Sequence, residues 1–346
     1  MGWERVKAFA DARGGAYSIL ALRGGRVVAE FRRGCGPDSL FYCFSVTKPV
    51  TAMAVHLLAE RGRLDLDRPI ARHWPEFGRN GKAAITARQV LTHRAGVPAA
   101  LGHPGLDIAA MGDWDLSVRA AARARPRYRP GRVVAYHVLT FGFILGELVR
   151  RVSGELIDRF AGREFFAPLG MDAHLRLPAG EVRRVVPVRG KGGNLASPVF
   201  LNRPAMRRAL VPAASLHTTA RSLASFYQML LADGLTASGR RLLRPATVAS
   251  ALAVSSDGAV DRTLRQRQRY GQGFQLGGLP GVVRGIGTAS PPSAFGHNGS
   301  AVCNAWAEPE RQLVFIYLSN TTQLIRPGLA FASALSDLAW AAFDAA

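Results

Sequence analysis

The chain has 346 residues, a formal net charge of +21 from 45 Lys plus Arg against 24 Asp plus Glu, and a hydrophobic content of 48%. That apolar content supplies a sizeable core and excludes intrinsic disorder, in which low hydrophobicity accompanies high net charge. At about 150 residues per domain the length fits two domains, or one large fold with an inserted lobe.

From the N-terminus, residues 3–11 read as a short helix. Tyr17–Leu22 and Val27–Phe31 read as two strands of a hairpin turning at Arg23-Gly24-Gly25-Arg26. From Ser45 to Arg61 the apolar residues Val46, Val50, Met53, Ala54, Leu57 and Leu58 recur at helical spacing, and Gly62 is a plausible terminator. The middle, about 66–245, is mostly helical pattern broken by Pro and Gly, as in Phe141–Val152 before Ser153-Gly154 and Thr218–Ala232 before Asp233-Gly234. Strands return at Ala294–Phe295, Val302–Ala307 and Leu313–Leu318, and a last helix runs from about Leu329 to Phe343. Strands at both ends around a helical block predict an α/β (α+β) sheet domain, about 1–65 and 246–346, with a large helical lobe, about 66–245, within a single domain.

Several chemistries find no support. The eight histidines are scattered without H-E-x-x-H or zinc-type spacing, so neither a metal nor an organic cofactor is expected. No G-x-S-x-G and no G-x-x-x-x-G-K-[ST] occurs. Cys35, Cys43 and Cys303 form no C-x-x-C pair, and Cys43 reads as a buried small residue. The N-terminus lacks the apolar core of a signal peptide, and no run approaches about 18 uncharged apolar residues, so a cytoplasmic protein with no membrane partner is expected. The basic residues are almost all arginine, Lys7, Lys48, Lys82 and Lys191 being the only lysines. They are not interleaved with aromatics in a nucleic-acid motif, so no nucleic-acid partner is expected.

One of those lysines carries the sharpest local signal. Phe44-Ser45-Val46-Thr47-Lys48 is an S-x-x-K that opens an amphipathic helical pattern. Ser45 and Lys48 then share one face, and a helix N-terminus beside the serine stabilises an oxyanion and depresses the lysine pKa. A neutral lysine can take the serine proton or help another base to do so.

Further matches follow in order: Leu91-Thr-His-Arg-Ala-Gly-Val97, Pro130-Gly131 with Tyr136, Pro168-Leu-Gly-Met171, Pro212 to Thr219, Tyr270-Gly-Gln-Gly-Phe274 and Phe295-Gly-His-Asn-Gly-Ser300. With these, the chain resembles the serine β-lactamase and penicillin-binding-protein superfamily over about residues 15–320, most closely its class C-like branch of esterases and acyltransferases. The resemblance implies an antiparallel sheet from both chain ends, flanked by the terminal helices. It implies Ser45 as the acylated nucleophile, Lys48 as its base and Tyr136 as the proton-sharing phenol. It also implies an oxyanion hole from the backbone N–H groups of Ser45 and Ser300, with His137, His297, Asn298 and Gly299 against the substrate. His93 is expected to be structural, capping a turn.

Two departures stand out. The family's Tyr-x-Asn reads Tyr136-His137-Val138, so the amide contact to lysine and substrate is missing, although Tyr136-His137 with Thr140-Phe141-Gly142 matches a form found in some esterase-like members. His297 replaces the lysine of Lys-Thr-Gly and weakens the fixed cation for a β-lactam carboxylate. The expected function is serine-dependent hydrolysis of an ester, thioester or amide. The alternatives are transacylation to an amine or alcohol, and a catalytically silent binding protein. The partner is a small acyl substrate, and Arg119, Arg123, Arg125, Arg127, Arg129 and Arg132, with Arg262, Arg265, Arg267 and Arg269, offer to draw an anionic or carrier-protein-bound one to the cleft.

Overall fold

Every residue of the run Leu313–Ser319 is buried, so this strand lies in a sheet covered on both faces. The computed structural model, which describes residues 2–192 and 196–345, places it near the centre of an eight-stranded antiparallel sheet. In chain order the strands are β1 (Tyr17–Arg23), β2 (Arg26–Arg33), β3 (Ser256–Asp261), β4 (Gln266–Tyr270), β5 (Gln275–Leu276), β6 (Phe295–Gly299), β7 (Cys303–Glu308) and β8 (Leu313–Ser319). They lie side by side in the order β2-β1-β8-β7-β6-β5-β4-β3, so the two ends of the chain meet where β1 pairs with β8, Ile19 opposite Tyr317.

The strand period of two assigns the faces. Ile19, Ala21, Phe315 and Tyr317 point to one side, where α1 (Gly2–Arg13) and the C-terminal helix Ile325–Asp344 cover them. Trp306 and Trp340 stack there with ring centroids 3.7 Å apart. Leu20, Leu22, Val314, Ile316 and Leu318 point to the other side, into the main core. That core includes α2 (Lys48–Glu60), α3 (Thr140–Ser153) and α4 (Ala220–Leu231).

Most of the predicted elements are found within a few residues of their expected bounds. The exceptions are β3 and β4, whose sequences Ser-Asp-Gly-Ala-Val-Asp and Gln-Arg-Gln-Arg-Tyr carry no apolar alternation. They form the outer end of the sheet, where a polar, arginine-rich strand resists pairing with another chain. The segment at Ser45 also departs from expectation. The α-helix starts at Lys48, and Phe44–Thr47 is a separate 3₁₀ turn. Nor is α2 amphipathic, because every residue from Lys48 to Leu58 is buried. It runs through the middle of the core, flanked by α3 and the helix Pro245–Leu252.

Five of the eight histidines are interred with this core: His56, His93, His137, His217 and His297. Burial holds His56, His137 and His217 down at about 4 and His297 at about 3, and it holds His93 well below the ordinary imidazole value. Between those values and about 6.5 the unfolded chain binds more protons than the folded one, so stability is lost as pH falls through that window. The urea midpoint should therefore drop steadily from pH 7 to pH 5, above the range where unfolded carboxylates titrate. Unfolding should take up to five protons by titration, and a flat midpoint between pH 7 and 5 would contradict the assignment.

Candidate active site

Ser45 is set by a strained turn. Phe44, just before it, adopts φ +50° without being glycine, a conformation costing about 1–3 kcal/mol that persists only where the surroundings enforce it. Here the hydroxyl of Thr47 donates to the carbonyl of Phe44 at 2.6 Å and accepts from the N–H of Leu216 at 3.0 Å. The N–H of Cys43 donates to the carbonyl of Leu216 at 2.8 Å. Cys43 itself is buried, with its thiol pushed well above its ordinary pKa by burial, consistent with a packing role.

Lys48, one turn on, has no exposed surface. Its Nζ lies 2.9 Å from Ser45 Oγ, 2.9 Å from the carbonyl of Val138 and 3.2 Å from that of Ala213. Among the described residues no carboxylate stands within ion-pair distance of it. Burial therefore pulls its pKa well below the lysine range. The two carbonyls accept from the amine, so once it has lost a proton its lone pair is left for the hydroxyl of Ser45. The contact that Val138 was expected to forfeit is thus supplied by its backbone. The sequence carries no signal for that, because every residue has a carbonyl.

The second acceptor depends on Gly142. A Cβ there would stand 2.2 Å from the nitrogen of Ala213, so glycine lets Pro212-Ala213 lie directly against α3. Thr51 fixes the same segment by donating to the carbonyl of Pro212 at 2.5 Å.

Tyr136 joins the pair from the opposite wall. Its phenol is hydrogen-bonded to Ser45, and burial followed by the nearby carboxylate of Asp261 keeps it protonated, with its pKa raised above the ordinary tyrosine value. Lys48 Nζ sits 4.8 Å from the centre of its ring. Asp261 also holds the tyrosine's backbone, accepting from the N–H of Tyr136 at 3.0 Å and from the hydroxyl of Tyr270 at 3.1 Å. Sequence reasoning gave no weight to this buried aspartate.

His137 corrects an expectation. It is fully buried and lines neither space at the serine. Its Nδ1–H donates to the carbonyl of Ala135 at 2.7 Å, and its Nε2 accepts from the N–H of Val97 at 3.2 Å. With both ring nitrogens committed to backbone it fixes the loop that carries Tyr136, and neither is left for a substrate. His93 supports the same loop: it adopts φ +57°, accepts at Nδ1 from the N–H of His137, and its ring lies 4.6 Å from that of Tyr136.

The remaining expected residues sit on β6 and the turn after it. His297 is buried beside Tyr136, ring centroids 6.1 Å apart, and its Nδ1–H donates to the carbonyl of Asn298 at 2.7 Å. Held neutral, it provides no fixed cation. Gly299 serves close approach, not substrate contact: a Cβ there would stand 2.2 Å from the carbonyl of Cys43. This brings Ser300 against the Ser45 turn. Ser300 and Ala301 adopt φ +51° and +58°. Asn298 lines the cavity, yet its amide is spent on this turn. Its Oδ1 accepts from the N–H of Ala301 at 2.9 Å and its Nδ2 donates to Asn304 Oδ1 at 2.6 Å. From behind, buried Arg13 of α1 donates to the carbonyls of Ala301 at 2.9 Å and Thr321 at 2.7 Å.

Two spaces open on Ser45. One, of about 730 Å³, is lined by Tyr136, Gln275, Asn298, Ser300 and by Arg265, Arg284 and Arg326. The other, of about 380 Å³, is lined mainly by apolar side chains. Both fall in the size range of ligand sites. The arginine clusters divide. Arg265 reaches the larger space, whereas Arg125 and Arg127 line a separate hollow with Pro98–Ala100. Arg269 is held by Asp257 at 3.0 Å and by two carbonyls. No cluster of three or more His, Cys, Asp and Glu side chains able to hold a metal is found among the described residues, and no described helix is long and apolar enough to cross a membrane.

The family model described as "Beta-lactamase" matches residues 4–335. The chain is 32% identical over 317 residues to "Esterase/beta-lactamase LipL" of Mycobacterium tuberculosis, covering 82% of this chain and 70% of that one. It superposes on a penicillin-binding-protein homologue from Caulobacter crescentus with a TM-score of 0.81 at 28% identity, covering 99% of this chain and 97% of the other. A family VIII carboxylesterase superposes with a TM-score of 0.80 at 27% identity, over 96% of this chain and 97% of that one. A serine, a desolvated lysine and a phenol gathered on this fold, and matched along almost the whole sequence, make the chain a serine hydrolase that belongs to the beta-lactamase family.

Proposed function

We propose that the chain hydrolyses a carboxylic ester through an acyl-enzyme on Ser45. The observation that carries this reading is the buried Lys48, its Nζ 2.9 Å from Ser45 Oγ and within 3.2 Å of two backbone carbonyls, with burial pulling its pKa well below the lysine range. Ser45 Oγ gives its proton to Nζ as it bonds to the substrate carbonyl carbon. The carbonyl oxygen takes the negative charge before the N–H groups of Ser45 and Ser300, where fixed donors stabilise it most. On collapse the bond to the alcohol oxygen breaks. Tyr136 protonates that oxygen and is re-protonated at the expense of the lysine ammonium. Water then attacks the acyl-enzyme, gives its proton to the same pair, and releases the acid and Ser45.

The neutral His297 argues against efficient β-lactam turnover, because it leaves the strand without a cation for the substrate carboxylate. Transacylation remains the second reading. The 730 Å³ space on the Tyr136 side can hold an acceptor alcohol or amine while the acyl group stays on Ser45. The choice between water and acceptor turns on water exclusion.

The direct test is a fluorophosphonate probe read by intact mass. The wild type should gain one label and Ser45→Ala none, and labelling that persists in the variant rejects the nucleophile. For esters, kcat/KM should fall on acidification, as Lys48 becomes protonated and loses its lone pair. Lys48→Ala should lose about 100-fold to 10,000-fold and flatten that acid limb; a variant keeping the same limb assigns it to another group. Asn298→Ala should release the Ser300–Ala301 turn and lower kcat by up to about 100-fold with KM little changed, approaching the loss of one oxyanion donor. A change confined to KM would return Asn298 to substrate contact.

A further inference from the structure

The two spaces at Ser45 differ in chemistry and in which catalytic group they meet. Ser45, Val138 and Ser300 line both, so the nucleophile and the oxyanion turn stand on the partition between them. Tyr136 lines only the larger one. The smaller is walled by Tyr42, Phe44, Ile108, Met111, Leu139 and Phe200, and no charged side chain lines it. The larger is mixed: Leu264, Ile325 and Leu329 share its wall with three glutamines, the exposed Arg265 and Arg326 and the buried Arg284, whose guanidinium donates to the carbonyl of Leu276, and no carboxylate lines it.

The phenol decides the orientation of a bound ester. The oxygen it protonates is that of the departing alcohol, so the alcohol half must occupy the Tyr136 side. The acyl half, bonded to the same carbonyl carbon, then extends to the other side of the partition. We infer that the substrates are esters joining an uncharged apolar acyl group, seated between Ile108, Met111, Leu139 and Phe200, to a polar alcohol that carries an anionic group. The inference rests on the Ser45 acyl-enzyme reading and adds to it the direction and chemistry of the two halves. An apolar wall favours each added methylene by the area it removes from water, and the exposed Arg265 and Arg326, with no carboxylate beside them in that wall, favour an anion over a cation.

Two measurements test it. The first compares 4-(hexanoyloxy)benzoate, whose anion lies on the alcohol side, with the monohexyl ester of succinic acid, whose anion lies on the acyl side. The wild type should favour the former in kcat/KM by at least about tenfold after correction for the intrinsic hydrolysis rates of the two esters. The second uses p-nitrophenyl acetate, butyrate and hexanoate. Selectivity for hexanoate over acetate should be about tenfold or more in the wild type, and Ile108→Trp, which fills the apolar space from its half-exposed rim, should reduce that ratio at least fivefold. Equal or inverted preference in the ester pair overturns the orientation even if the variant fails to fold. An unchanged hexanoate-to-acetate ratio in folded Ile108→Trp overturns the acyl pocket. Ser45→Ala runs alongside: persistent turnover in it rejects the serine reading itself, whereas its inactivity together with an adverse result rejects the orientation or the acyl pocket respectively and leaves the serine reading standing.

Discussion

A lysine amine without exposed surface and without a counter-charge is the constraint on which this site depends. In the core, an ammonium lacking a carboxylate is disfavoured by desolvation, and burial lowers the pKa of this amine well below the lysine range. Basicity is thereby created by exclusion: the surrounding helices supply it by keeping water and carboxylates away. The interior that holds the protein together is therefore also what sets the acidity of the amine beside Ser45. This accounts for an α2 that is buried on all sides, since a helix with a solvated face would leave Lys48 hydrated and cationic.

Around that amine, glycines decide how closely backbone segments approach. Gly142 admits the carbonyl that fills one of the lysine's hydrogen-bond positions, and Gly299 brings the oxyanion turn against the serine turn. Both turns are strained at a residue other than glycine, Phe44 on one side and Ser300-Ala301 on the other. Each is held by side chains with no substrate contact in the scheme: Thr47 for the first, Arg13 and the amide of Asn298 for the second. Conformational energy stored in this way keeps donors aligned before the reaction begins, so little reorganisation is left for the chemical step.

Much of this was legible in the sequence, in proportion to how local each signal is. S-x-x-K, the hairpin of β1 and β2, and the apolar strands β7 and β8 announce themselves within a few residues. Ser45, Lys48 and Tyr136 could be named and are brought together. What was illegible is carried by the backbone or by distance along the chain. The carbonyls of Val138 and Ala213 have no residue signature. Arg13 meets Ala301 only because the two ends of the chain share a sheet. His137 beside the tyrosine invited a substrate role, and only the positions of Ala135 and Val97 reveal that both its nitrogens are committed. The polar strands β3 and β4 were missed because an outer strand owes its place to ladder hydrogen bonds more than to apolar pattern.

The meeting of the two chain ends has a consequence for synthesis. Ser45 and Lys48 leave the ribosome long before the Ser300–Ala301 turn and the helix Ile325–Asp344 that covers its sheet. Pairing β1 with β8 closes a loop of nearly the whole chain, the kind of non-local contact that forms late and slowly. Until that pairing forms, the Ser45–Lys48 segment and the Ser300–Ala301 turn have no common frame, so the site is assembled by a long-range contact and not by the local helix that carries the serine and the lysine.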